Sequence, residues 1–153
     1  MADYRKGWEL LPGSHGCFVC DASGVNPRAL GLKIYWNQAD KSVHIPYSPD
    51  NAWCGYSSVV HGGLTAAVLD EAMAWAVRQV AGEWAFTVDF HLRYKKAVEP
   101  GQLYEAVAVV GVVGRKITAE ARLMTETGQI VALAEAVFLP GRGRARPQRG
   151  EVE

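Results

Sequence analysis

Apolar residues are spaced in two different ways along this chain. Phe86, Val88, Phe90, Leu92 and Tyr94 alternate with Thr87, Asp89, His91 and Arg93, the two-residue period of a strand with one face against a core. Three further runs rich in Val, Ala and Ile follow: Leu103 to Val113, Arg115 to Thr125 and Gln129 to Leu139. Pro100-Gly101 marks the turn before them, and Gly114 and Glu126-Thr127-Gly128 suit hairpin turns between them. Upstream, Leu32 to Trp36 and Ser42 to Tyr47 are short β-prone runs on either side of Asn37 to Lys41, which predicts a first hairpin.

Between these two sets the pattern changes. From Gly62 to about Ala81 the residues are mostly Ala, Leu, Val, Met and Trp, and Gly82 supplies a stop, so one helix of about five turns is predicted. Of the 18 residues from Leu64 to Ala81, 13 are apolar, which predicts burial nearly all round. The stretch has the length of a membrane span, but Asp70, Glu71, Arg78 and Gln79 lie inside it and favour a buried soluble helix. Strands on both sides of one buried helix predict an α+β fold with an antiparallel sheet. The first 31 residues, with turns at Pro12-Gly13 and Asn26-Pro27, are expected to be a leader packed on the domain, and residues 32–140 to be the domain itself. The Gly- and Arg-rich segment 141–153 is expected to be disordered.

Composition narrows the partners. At 153 residues, 49% apolar and 21% charged, the chain suits one globular domain. Lys plus Arg (16) equals Asp plus Glu (16), so no global field draws it to nucleic acid or anionic lipid. Arg142, Arg144, Arg146 and Arg149 do not change that without a basic fold or interleaved aromatics. The opening MADYRKGWELL lacks the apolar run and cleavage site of a signal peptide, which predicts a cytoplasmic protein. Cys17, Cys20 and Cys54 are then expected to be thiols. With His15 they would make a Cys₃His zinc set, but one CxxC and a distant Cys are a weak signature, and no metal or cofactor is expected.

The chemistry gathers around the helix start. Gly62 and Gly63 stand where backbone N–H groups have no intrahelical partner and no Cβ blocks approach, a site for a carboxylate, a phosphate or a developing oxyanion. Asp70 is a carboxylate inside an apolar helix, where an ionised group needs a partner, water or a task. Gly63, Ala66, Ala67, Asp70 and Met73 or Ala74 share one stripe by helical spacing, while Glu71 points roughly 100° away. Gly63 and Asp70 lie roughly 10 Å apart along the axis, too far for one chain to bring both to one reacting carbonyl. Two antiparallel copies crossing near Ala66 and Ala67 would set the glycines of one against Asp70 of the other, so a dimer with two composite sites is expected.

From about Cys17 to Phe138 these residues resemble the hotdog-fold acyl-CoA thioesterases, in particular the branch related to phenylacetate-pathway thioesterases and the human thioesterase-superfamily members. HGGLTAAVLDEA carries the likeness, with Cys-Phe-Val-Cys and Asn-Pro-x-x-Leu-Gly-Leu in the leader. The resemblance implies a five- to six-stranded antiparallel sheet wrapped around one long helix, homodimers that pair into homotetramers, and hydrolysis of acyl-CoA to free acid and CoA. It further implies that the Gly62 N–H, with Gly63 nearby, polarises the thioester carbonyl, and that Asp70 acts as general base or nucleophile. Thr87 would position the attacking water and His61 would fix the loop by hydrogen bonds. Some relatives carry an Asn or Gln where this chain has Gly55, so that helper is missing or supplied by Asn51. Arg93, Lys95, Lys96, Arg115 and Lys116 are candidates for the CoA phosphates, and Trp53, Tyr56, Trp75 and Phe86 for the acyl pocket.

Two other classes compete. A hotdog protein that binds acyl-CoA without turnover would need no base, and the presence of both acid and glycines argues against it. A hotdog dehydratase or hydratase would need a catalytic His set for C–H chemistry, which His61-Gly62-Gly63 does not match.

Overall fold

In the computed structural model residues 5–141 are described, and the predicted Arg-rich tail from Arg142 onward lies outside the described residues. Helix α1 runs from Gly62 to Ala81, the predicted span. Its stop is Gly82 at φ 76°, whose N–H donates to the Arg78 carbonyl at 3.1 Å. That left-handed backbone costs a residue with a Cβ roughly 1–2 kcal/mol, which is why glycine ends the helix cleanly.

A seven-stranded antiparallel sheet covers one side of α1. Its strands are β1 (Glu9–Leu10), β2 (Tyr35–Asn37), β3 (Ser42–Tyr47), β6 (Ala85–Tyr94), β7 (Tyr104–Val113), β8 (Ile117–Thr125) and β9 (Ile130–Pro140), in the spatial order β1-β2-β3-β7-β8-β9-β6. A separate ribbon, β4 (Cys54–Tyr56) with β5 (Val59–Val60), leads into α1 after the 3-10 turn Asn51–Trp53. The α+β architecture is the expected one. The six strands β2, β3, β7, β8, β9 and β6 make up the expected sheet, and the two-residue strand β1 extends it to seven. Strand β2 begins at Tyr35 instead of Leu32, and Arg115 and Lys116 sit in the β7–β8 turn instead of starting β8.

Val68, Leu69, Ala72, Met73, Ala76 and Val77 of α1 are fully buried against inward residues of the sheet such as Ile45, Ala106, Leu123 and Phe138. Burial of the Val, Leu, Ile, Met and Phe side chains among them contributes about 1.5–3 kcal/mol each. The expectation of burial all round fails on one side, because a single sheet covers only part of a cylinder. The stripe Gly63, Ala66, Ala67, Asp70, Ala74 stays half-buried or exposed. Beside it the sheet ends at β6, in which all ten residues are half-buried or exposed.

The leader is tied on by backbone hydrogen bonds from Leu11 to Ile34, Leu30 to Phe18 and Leu32 to Val19, and Leu11 and Cys20 join the core of α1. Among the described residues no helix is long and apolar enough to cross a membrane.

Candidate active site

The start of α1 is built by its own turn. His61 caps the helix: its ring Nδ1 accepts the Gly63 N–H at 2.9 Å, and its carbonyl accepts the Leu64 N–H at 3.0 Å. An accepting Nδ1 carries no proton, so the ring is held in one tautomer. Of the first amides in α1, that of Gly62 has no hydrogen-bond partner among the described residues, so Gly62 and not Gly63 is the free donor. Tyr94, the last residue of β6, donates its hydroxyl to the Gly62 carbonyl, which clamps strand to helix. A Cβ at Gly62 would lie 3.0 Å from the Tyr94 hydroxyl, and one at Gly55 would lie 3.2 Å from the His61 ring. Both glycines are therefore places where side chains pack directly onto backbone.

This turn borders an open depression of about 550 Å³ lined by Gly55, Tyr56, Val59 to Gly63 and Tyr94 to Val98. The segment after β6 is drawn there because the Val60 N–H donates to Val98 O, and the Lys95 and Lys96 N–H groups both donate to Val131 O. Tyr56, 83% exposed, stands at the rim. The structure thus brings together His61, Gly62, Gly63, Tyr56, Lys95 and Lys96.

Asp70 and Thr87 form a second group. The Thr87 hydroxyl donates to Asp70 Oδ1 at 2.6 Å. Burial raises the pKa of Asp70, and the Thr87 hydrogen bond pulls it back down, since a donor to the carboxylate favours the charged form. Regular alternation would place Thr87 on the opposite face from Phe90, three residues away. The register of β6 on β9 slips between Thr87 and Asp89, however: Phe90 pairs with Ala136 and Thr87 with Phe138, while Asp89 pairs with Val137. Ala136 and Phe138 are both buried, so the bulge at Val88 turns Thr87 back to the helix side.

Asp70 does not line the depression. Gly62 and Asp70 are eight residues apart on α1, roughly 12 Å along the axis. The expected cations are divided too. Arg93 pairs with Leu133, out of phase with the inward Leu92–Ala134 pair. Arg115 and Lys116 precede Ile117, which pairs with Phe138 at the level of Thr87. Thr87 and Tyr94 stand seven residues apart, so Arg115 and Lys116 lie roughly 23 Å along the sheet from Lys95 and Lys96. Asn51 is exposed in the 3-10 turn and outside the depression. Trp53 and Trp75 pack with the core, and Phe86 is 43% exposed on β6. Tyr94 was not singled out from the sequence; its only signal was a hydroxyl in phase with Phe90 and Leu92.

The three cysteines are free, and His15 and Cys54 do not assemble with the CxxC. The group that the fold does bring together is Cys17, Cys20 and Glu71, whose ligand atoms all lie within 4.8 Å of one another. The Cys17 thiol donates to Glu71 Oε1 at 3.5 Å and Trp75 Nε1–H donates to the same oxygen at 3.1 Å. Burial pushes Glu71 up to about 7.

Residues 57–132 match the thioesterase superfamily. An uncharacterised protein of Schizosaccharomyces pombe is 29% identical over 111 residues, which is 70% of this chain and 63% of that protein. Among solved structures, a thioesterase superfamily protein aligns with a TM-score of 0.73 at 24% identity, over 80% of this chain and 62% of that one. A hypothetical thioesterase from Streptococcus pneumoniae, solved with coenzyme A, aligns with a TM-score of 0.62 at 18% identity, over 65% of this chain and 80% of that one. The chain therefore spans just under two thirds of the yeast relative and of the first of these structures. At such identities the structural likenesses establish the fold.

Proposed function

Because the chain belongs to the thioesterase superfamily and has its hotdog fold, we propose that it hydrolyses acyl-CoA to free acid and CoA in the cytoplasm, as a homodimer that pairs into a homotetramer. The observation that carries this reading is the separation within one protomer of a free backbone donor at Gly62 from the acid at Asp70. Each would have to act within about 3 Å of the same carbonyl, and they stand roughly 12 Å apart. A two-fold axis near Ala66 and Ala67, midway between them, sets Gly62 of one protomer against Asp70 of the other. The half-buried stripe of α1 and the unpaired edge of β6, with Phe86 and Val88 exposed, are the surfaces such a partner would cover.

In this composite site the ionised Asp70, steadied by Thr87 on Oδ1, takes a proton from water through Oδ2. The resulting hydroxide adds to the thioester carbonyl, and the Gly62 N–H holds the oxyanion. Collapse expels the CoA thiolate, which takes up the proton held by Asp70, and leaves the carboxylic acid. The coenzyme A bound to the pneumococcal protein supports CoA as the leaving group. Lys95 and Lys96 at the depression, and Arg115 and Lys116 at the other end of the sheet, are the cations available to its phosphates.

A thiol-release assay over short, long and aromatic acyl-CoAs tests the reading. Asp70→Asn is expected to lower turnover at least about 100-fold with KM little changed. Equal rates in the two proteins would remove Asp70 from the chemistry. Measurable acyl-CoA binding without turnover on any ester would make the chain a binding protein. Single-turnover hydrolysis in ¹⁸O-water labels Asp70 only if it attacks as nucleophile and water then opens the mixed anhydride at the aspartyl carbon, so label in Asp70 would exclude the general-base role.

A further inference from the structure

We propose that Cys17, Cys20 and Glu71 form a site for one thiophilic divalent cation of the zinc class, which fastens the leader to the central helix beside Asp70. The three side chains come from places 54 residues apart in the chain, yet their sulfur and oxygen atoms lie within 4.8 Å of one another. Around a tetrahedral zinc, bond lengths of about 2.3 Å to sulfur and 2.0–2.2 Å to oxygen place neighbouring sulfur and oxygen ligands about 3.6 Å apart. The Cys17 Sγ to Glu71 Oε1 distance is 3.5 Å, so small side-chain rotations suffice to close the set. Thiolates select zinc-like ions over magnesium or calcium, and water completes the fourth position.

The surroundings are those that orient metal ligands. The Ser14 N–H donates to Cys20 Sγ at 3.2 Å and Trp75 Nε1–H donates to Glu71 Oε1 at 3.1 Å, outer contacts of the kind that fix ligand geometry. The loop carrying the CxxC is held before any ion arrives: Asn26 Nδ2 donates to Gly16 O, and Asp21 accepts from the Ser23 and Asn26 N–H groups. No Lys, Arg or His among the described residues pairs with the three acids. A dication bound by the two sulfurs and the carboxylate would supply that missing positive charge.

The full chain, purified under reductant and stripped with a chelator, is titrated with Co²⁺ alone after thiol titration confirms three free thiols. One Co²⁺ per protomer is expected, with intense tetrahedral ligand-field bands and thiolate-to-cobalt charge transfer, both erased by Zn²⁺. Zn²⁺ should also raise the thermal midpoint. Cys17→Ser should abolish the charge-transfer band or weaken it together with affinity, and Glu71→Gln, which keeps the volume, should weaken affinity about 10–100-fold. Cys54→Ser should change nothing. Glu71→Gln keeps the test alive if a cysteine variant fails to fold. Absence of the cobalt bands, an unchanged spectrum in Cys17→Ser, or a Cys17–Cys20 disulfide that survives the reductant would each overturn the site.

Discussion

The two ends of the uncovered stripe of α1 are built from different materials. At the N-terminal end the chemistry is backbone: one free amide at Gly62, kept rigid by the His61 ring on Gly63 and by Tyr94 on the Gly62 carbonyl, facing an open depression. Two turns further on it is side chain: a half-buried Asp70 bonded to Thr87, outside that depression. One end offers a free backbone donor but no acid; the other offers an acid outside the depression. In the proposed composite site each end would supply what the other lacks, and each can be tested against the other.

Mixing is the severest test of that complementarity. Asp70→Asn protomers refolded with Gly62→Ala protomers should recover about a quarter of wild-type turnover from two nearly inactive parents, because half the dimers are mixed and each then has one unaltered site. A site confined to one chain would give no recovery. Taken alone, Gly62→Ala should lower kcat about 10–100-fold with the acid end intact. Its Cβ would meet the Tyr94 hydroxyl at 3.0 Å, displacing the clamp and tilting the free Gly62 amide. Initial rates across substrate concentration separate this from a change in KM.

At the acid end, Thr87→Val sharpens the comparison through pH. Burial raises the Asp70 pKa, so kcat/KM should climb with pH along a limb lying above the ordinary carboxylate value of about 4. Thr87 donates to the ionised form, so its removal should move that limb to still higher pH and cost a few-fold in rate at neutrality. The stability sign follows from the same shift. A raised folded-state pKa means that the folded protein binds more protons than the unfolded, so stability falls as pH rises from the unfolded value of about 3.9 through the folded one. Thr87→Val should therefore be more destabilised at pH 7 than at pH 4, as urea midpoints would record. The smallest effect is expected from Lys95→Ala with Lys96→Ala, a few-fold rise in KM for acyl-CoA that shrinks in high salt. An unchanged KM would separate the depression from the phosphates.

Legibility differed along the same divide. Helix α1 could be read from composition, and its glycine entry and stop from residue type, since helix ends depend on local backbone geometry. The four long C-terminal strands announced themselves by period and turn residues. The two-residue strands β1 and β5, and the short β4, were not visible, because runs that short have no period and pair only where a neighbour offers an edge. Thr87 could be named as a residue type, but alternation placed it on the wrong face; the bulge at Val88 that corrects it exists only in the pairing of β6 with β9. Glu71 looked like the acid without a role until the leader folded Cys17 and Cys20 against it.

The sequence by itself determined a single buried helix with a glycine entrance and an acid two turns in, because burial and helix termini follow from residues near in the chain. The tertiary structure alone decided which glycine keeps a free amide, which face Thr87 occupies and which acid meets the cysteines. Each of those depends on a hydrogen bond or a register set by atoms on another element, and no local pattern encodes where that element will stop.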